Sequence, residues 1–218
     1  MLGVLLLTLS VTTPVELVDV ATLDSRFVFD IRYATADNFV GKAVYTEARC
    51  LVRPEVGKML LTAQKVLDAQ PGGRRLMFKD CYRPHTAQHA LWDAVKGTPK
   101  ARYVANPHTR TGSIHSYGAA VDLTLAEADG TEVDMGTAYD HLGKLAEPRH
   151  EKRYLAAGKL TKKQVKNRRQ LRKAMRKAGF LIIRNEWWHF NAAPAKKVRK
   201  SYPRLDVPFS SVSTKAVP

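Results

Sequence analysis

Two apolar stretches constrain this 218-residue chain more than anything else in it, because each carries ionisable groups where a core strand should have none. "GAAVDLTL" reads as a strand, apolar apart from Asp122 and Thr124. "FLIIRNEWWHF" reads as a second strand, with Glu186 and His189 either side of Trp187 and Trp188. A carboxylate buried in an apolar strand costs several kcal/mol unless a cation or hydrogen bonds compensate it. Any fold that buries these strands must therefore supply Asp122 and Glu186 with partners.

Sequence spacing offers some. His115 stands seven residues before Asp122 in "SIHSYGAAVD", on the loop leading into that strand. His115, Asp122 and His189 make an N,N,O donor set suited to zinc, with a fourth position open for water. Glu186, left unligated, is then placed to take a proton from that water. One condition follows: on a flat strand, residues i and i+3 face opposite ways, so a bulge or turn within "EWWH" is required. Simpler readings compete. A strand aspartate can be salt-bridged, a histidine hydrogen-bonded, and Trp187 and Trp188 core or pocket wall. His85 and His89 also have a zinc-binding i, i+4 spacing, but Thr86 replaces the HExxH glutamate, which favours a structural or surface role. His108, His141 and His150 have no companions at ligand spacing.

The rest of the chain reads as alternating helices and strands. Helical spacing runs from Arg53 to Ala69, with Pro54 in the first turn, and again in "RPHTAQHALWDAV". "VELVDVA", "RFVFDIRYA" and "RLMFKDCY" read as extended, and "ADGTEV" as a hairpin turn. A basic helix spans Thr161 to Lys177 and ends at Gly179. With no repeat and no low-complexity linker, the expectation is one α+β domain: a small, mostly antiparallel sheet with flanking helices and the metal site on the sheet. Residues 1–14 form an apolar segment, either an export-signal remnant or a first buried stretch. The domain then spans 15–192 and a basic tail 193–218.

Charge is unevenly placed. Of the 36 Lys and Arg residues, 20 lie between Lys144 and Arg204, with only three of the 20 acidic residues. Such a lobe suits an anionic wall polymer or is simply a solvated helix face. No aromatics interleave Lys159–Lys177, which argues against specific nucleic-acid binding. No window is apolar enough to span a membrane. Cys50 and Cys81 allow either one disulfide in an exported protein or two buried thiols.

These motifs resemble a known family. "SIHSYGAAVD" is similar to the SxHxxGxAxD signature, and "EWWHF" to the ExxH signature, of the D-Ala-D-Ala metallopeptidases. "DIRYATADNFVGKAVY", "DCYRPHTAQ", "DMGTAYD" and "NRRQLRKAMRKAGF" bring the chain closer to the VanX-type D-alanyl-D-alanine dipeptidases, over residues 15 to 192 or so. The resemblance implies one zinc ion per chain on His115, Asp122 and His189, with Glu186 as general acid/base. It also implies that Arg83 stabilises the oxyanion, that Asp140 holds the substrate's α-ammonium, and that Ser113 helps hold its carboxylate. Tyr117 and Cys81 depart from the family pattern: Tyr117 bears on the charge of the pocket mouth, and Cys81 on its floor. The expected activity is hydrolysis of the small dipeptide D-Ala-D-Ala, in a periplasmic or exported setting, with the cytoplasm as the alternative. Two other functions stand beside it: a D,D-carboxypeptidase or endopeptidase acting on wall peptides, and a polyanion-binding module without catalysis.

Overall fold

A computed structural model describes residues 16–214; the apolar segment 1–14 lies outside the described residues. In chain order the elements are β1 (Glu16–Asp19), β2 (Val28–Phe29), β3 (Leu51–Val52), α1 (Pro54–Asp68), β4 (Arg75–Asp80) and α2 (His85–Asp93). There follow β5 (Ala120–Ala126), α3 (Glu151–Ala156), α4 (Lys162–Lys177), β6 (Leu181–Ile182), β7 (His189–Asn191), α5 (Ala195–Ser201) and β8 (Ser213–Thr214). The chain is an α+β protein with two sheets, of order β2-β4-β5-β7-β6 and β3-β1-β8. In the larger sheet only the β2–β4 pairing is parallel.

Helix α1 begins where Pro54 presets the first turn, and it buries Val56, Leu60, Ala63 and Leu67 along one face. That face packs against α4, which turns Val165, Leu171, Ala174 and Met175 inward. Each Val, Leu or Met side chain withdrawn from water contributes roughly 1.5–3 kcal/mol, and each Ala methyl less. A capping box between Thr161 and Gln164 starts α4, satisfying backbone groups that the helix cannot. The basic run is not all solvated. Arg168 is fully buried, donating to the carbonyls of Met135 and Leu145 and lying over the Trp187 ring. Arg172 makes a two-pronged pair with Glu151.

Strand β5 is buried at all seven positions, so both of its faces are covered. Its polar members are therefore forced to find partners within the protein. Across the sheet, Asp122 of β5 stands opposite Asp80 of β4 on one side and His189 of β7 on the other. The β4–β5 register shifts between Phe78 and Asp80, a bulge that sets the two aspartates side by side.

The second apolar stretch is not one strand. Leu181–Ile182 and His189–Asn191 pair antiparallel as a hairpin, and residues 183–188 form the irregular connection between them. Cys50 and Cys81 are joined in a disulfide, tying the start of β3 to the end of β4. Past residue 193 the chain stays on the domain: Val198, Leu205, Phe209 and Val212 are buried, and β8 pairs with β1. No helix among the described residues is long and apolar enough to cross a membrane.

Candidate active site

His115 sits in a single 3-10 turn, Ile114–Tyr117, whose N-cap Ser113 accepts a hydrogen bond from the His115 amide. Gly118 ends the turn at φ 68°, a left-handed conformation that favours glycine, and feeds the chain into β5 four residues before Asp122. His189 opens β7 directly opposite Asp122. These elements bring three donor atoms together. His115 Nε2 lies 3.1 Å from His189 Nδ1, His189 Nδ1 lies 3.0 Å from Asp122 Oδ1, and His115 Nε2 lies 3.3 Å from the same oxygen. A tetrahedral zinc with bonds of about 2.0–2.1 Å would hold its ligand atoms roughly 3.3–3.4 Å apart. The triangle is close to that size, and the donor set is the N,N,O combination that zinc favours.

Hydrogen bonds behind these donors decide which of their atoms are free. His115 Nδ1 is 2.7 Å from the Cys81 carbonyl, so it must carry the proton and leave Nε2 bare. His189 Nε2 is 3.0 Å from Asn191 Oδ1, which in the same way frees Nδ1. The other carboxylate oxygen of Asp122 accepts from the Tyr139 hydroxyl at 3.1 Å. Burial pushes the Asp122 carboxyl up, but the His115 and His189 imidazoles outweigh it and hold the group well below the usual carboxylate range. Asp122 is thus an ionised carboxylate set between two imidazoles.

Glu186 lies in the hairpin connection, where it is free of strand alternation. Its Oε2 is 3.9 Å from His189 Nδ1, which meets the requirement for a turn within "EWWH". Burial pushes its carboxyl up to about 8, with His189 opposing. Arg83 is buried between Asp80, bonded to its Oδ2 at 2.8 Å, and Gln88, bonded at 2.7 Å. Its guanidinium also reaches 3.6 Å from Asp122 Oδ2. Asp140 is the one described non-glycine residue with positive φ, 58°, and Tyr33 donates to it at 2.8 Å. Burial pushes its carboxyl up to about 8, against the Tyr33 hydrogen bond. No cationic side chain pairs with Asp140 among the described residues, although it lines the cavity.

Ser113, Arg83, His115, Asp122, Asp140, Glu186 and His189 all line one cavity of about 200 Å³. That is below the ~300–1,000 Å³ of sites for drug-sized ligands, and it suits a small substrate. Trp188 forms part of the wall, whereas Trp187 faces inward and donates to Thr137. Tyr117 does not reach the cavity. It is buried with Ile114, Ala120 and Val198, so it cannot set the charge of the pocket mouth. Asp80, Gln88, Tyr33, Tyr139 and Asn191 support the site without having drawn notice in the sequence. Among them only Asp80, a carboxylate in an apolar strand, gave a signal of the same kind as Asp122.

Known proteins resemble most of the chain. Residues 13–208 match a peptidase family model described as D-ala-D-ala dipeptidase. A D-alanyl-D-alanine dipeptidase of Escherichia coli is 37% identical over 195 residues, covering 89% of this chain and 92% of that protein. Those of Enterococcus faecium and Streptomyces coelicolor are each 32% identical, covering 74% and 77% of this chain and 84% and 87% of their own lengths.

Proposed function

The chain belongs to the D-ala-D-ala dipeptidase family of peptidases, and from that premise we propose that it hydrolyses D-Ala-D-Ala with one zinc ion held by His115, Asp122 and His189. The observation that carries the reading is the convergence of those three donors, each with its second atom already committed elsewhere. Bound there, zinc supplies Lewis-acid polarisation of the scissile carbonyl and lowers the pKa of a water to about 7. The chain's own residues do the rest. Glu186 takes the proton of the attacking water and returns it to the leaving amine, a task suited to a largely buried carboxyl held beside His189 and the cavity. Arg83, fixed by Asp80 and Gln88, presents a positive charge that cannot move away as the oxyanion forms. Asp140 takes the substrate's free ammonium, the cation that this part-buried carboxylate lacks, and Ser113 holds the carboxylate end.

Free D-Ala-D-Ala assayed beside its N-acetyl derivative tests this. Loss of the ammonium should cost most of the activity, and a preference for the acylated substrate would indicate a carboxypeptidase instead. Chelator should abolish turnover and zinc restore it. If Glu186→Gln left function intact and chelation removed only the fold, the chain would be a binding module with a structural metal. The Cys50–Cys81 disulfide supports an exported, oxidising setting for the protein.

A further inference from the structure

Three histidines outside the catalytic centre form a chain of ring contacts, with His89 in the middle. His85 and His89 lie one turn apart on α2, with ring centroids 4.9 Å apart and planes at 72°. His108, from the loop before Ser113, brings its ring to 5.0 Å from His89 at 80°. The proposed zinc pair His115 and His189 stands at 4.9 Å and 68°. Two imidazoles sharing one tetrahedral ion, at metal–nitrogen distances of about 2.0–2.1 Å, place their rings about 5 Å apart. The outer pairs thus repeat the spacing of the catalytic pair.

The group holds an unpartnered donor atom, and the opposite charges of Arg204 and Asp206 both act on His85. His85 Nδ1 is closed off from solvent and has no hydrogen-bond partner among the described residues, an orphaned polar atom beside a second imidazole. Asp93 follows His89 by one more helical turn and adds an exposed carboxylate, paired at present with Lys96. In the catalytic trio all three donors already converge within 4.8 Å. Here His89 stands between the other two, so the exposed His108 must swing inward to complete a set built on the His85–His89 pair.

We propose that His85, His89 and His108 form a second metal site, selective for imidazole-preferring divalent ions such as Zn2+, Ni2+ or Cu2+. An ion there joins α2 to the loop carrying Val104, Ala105 and Gly112. Those three residues and Leu91 of α2 line the catalytic cavity, so the ion would clamp one wall of it.

Calorimetric titration of the metal-free, tag-free full chain with Zn2+ tests the site. The wild type is expected to take one equivalent more than His89→Ala. His108→Ala, a change on an exposed loop, should weaken that equivalent at least tenfold without changing the melting temperature of the metal-free chain. With one equivalent of zinc, His89→Ala should hydrolyse the dipeptide at the wild-type rate. His189→Ala should keep the outer equivalent, which separates failure of this proposal from failure of the catalytic reading. Equal stoichiometry and affinity in the wild type, His89→Ala and His108→Ala would overturn it.

Discussion

Asn191 does for His189 what the Cys81 carbonyl does for His115: each takes the proton-bearing nitrogen and leaves the other bare. Losing such a partner typically lowers metal affinity about 10–100-fold. Asn191→Ala should therefore bind zinc that much more weakly in competition with a chromogenic chelator, while melting close to the wild type. Glu186 lies 3.9 Å from His189 Nδ1 and stands outside the ligand triangle, so its removal should separate chemistry from binding. Glu186→Gln should lose about 10²–10⁴ in kcat with zinc content unchanged by metal analysis. Asp122, Glu186 and His189 could be picked out in the sequence because an ionisable group in an apolar stretch breaks a pattern, and His115 by its spacing before Asp122. Asn191 and Tyr139 break none, and their roles arise only from what they face. Asp80 lies next to Lys79 in the sequence, yet Lys79 is bound to Asp30 and Glu132 while Asp80 holds Arg83.

The 3-10 turn that carries His115 works as an element only because of how it ends. At Gly118, with φ 68°, an added Cβ would fall 2.9 Å from Leu17 Cδ2, and the Gly118 carbonyl accepts from the Arg53 amide. Gly118→Ala should cost about 1–3 kcal/mol, from a strained backbone and a forced shift of Leu17. Urea denaturation would measure that loss, and weakened zinc binding should accompany it because the turn aims His115. The two longest helices followed their sequence periodicity closely, α1 and α4 matching the expected spans to within a residue or so at each end, whereas α3 and α5 were not expected. β4 and β5 likewise fall where apolar residues accumulate. "FLIIRNEWWHF" behaved differently. Composition suggested a single strand, but an unbroken strand would put Glu186 and His189 on opposite faces. The chain instead spends residues 183–188 in the connection of a hairpin, burying both tryptophans and turning Glu186 toward the cavity. Local hydrophobicity does not encode that choice, because it depends on β5 pairing with the far arm of the hairpin.

Long-range ties hold the cavity wall in place across the whole molecule. The Cys50–Cys81 disulfide spans a sequence separation of 31, which in the chain-entropy picture is worth about 3–4 kcal/mol. Cys50→Ser with Cys81→Ala should lower the melting temperature accordingly. Charge forms a second tie, and it uses part of the basic lobe that the sequence showed only as an excess. The buried Glu147 carboxylate accepts from Arg149, Tyr103 and Arg102, and His150 lies 3.1 Å away. Tyr103 belongs to the cavity lining, so this cluster fixes part of the cavity wall. Burial pushes the Glu147 carboxyl up, but its three donors together overcome that and bring it down from an ordinary 4.5 to about 2. A carboxyl depressed in the folded state adds stability fully present above about pH 4.5, and that stability drains away as pH falls toward 2. Wild type and Glu147→Gln should therefore differ in thermal stability at pH 7, by about 1–3 kcal/mol for a lost charge-assisted network. The gap should close steadily between pH 4.5 and 2, because protonation leaves the wild-type side chain as neutral as the glutamine. A gap that stayed constant over that range would mean that Glu147 acts through packing alone and that its charge does not hold the wall.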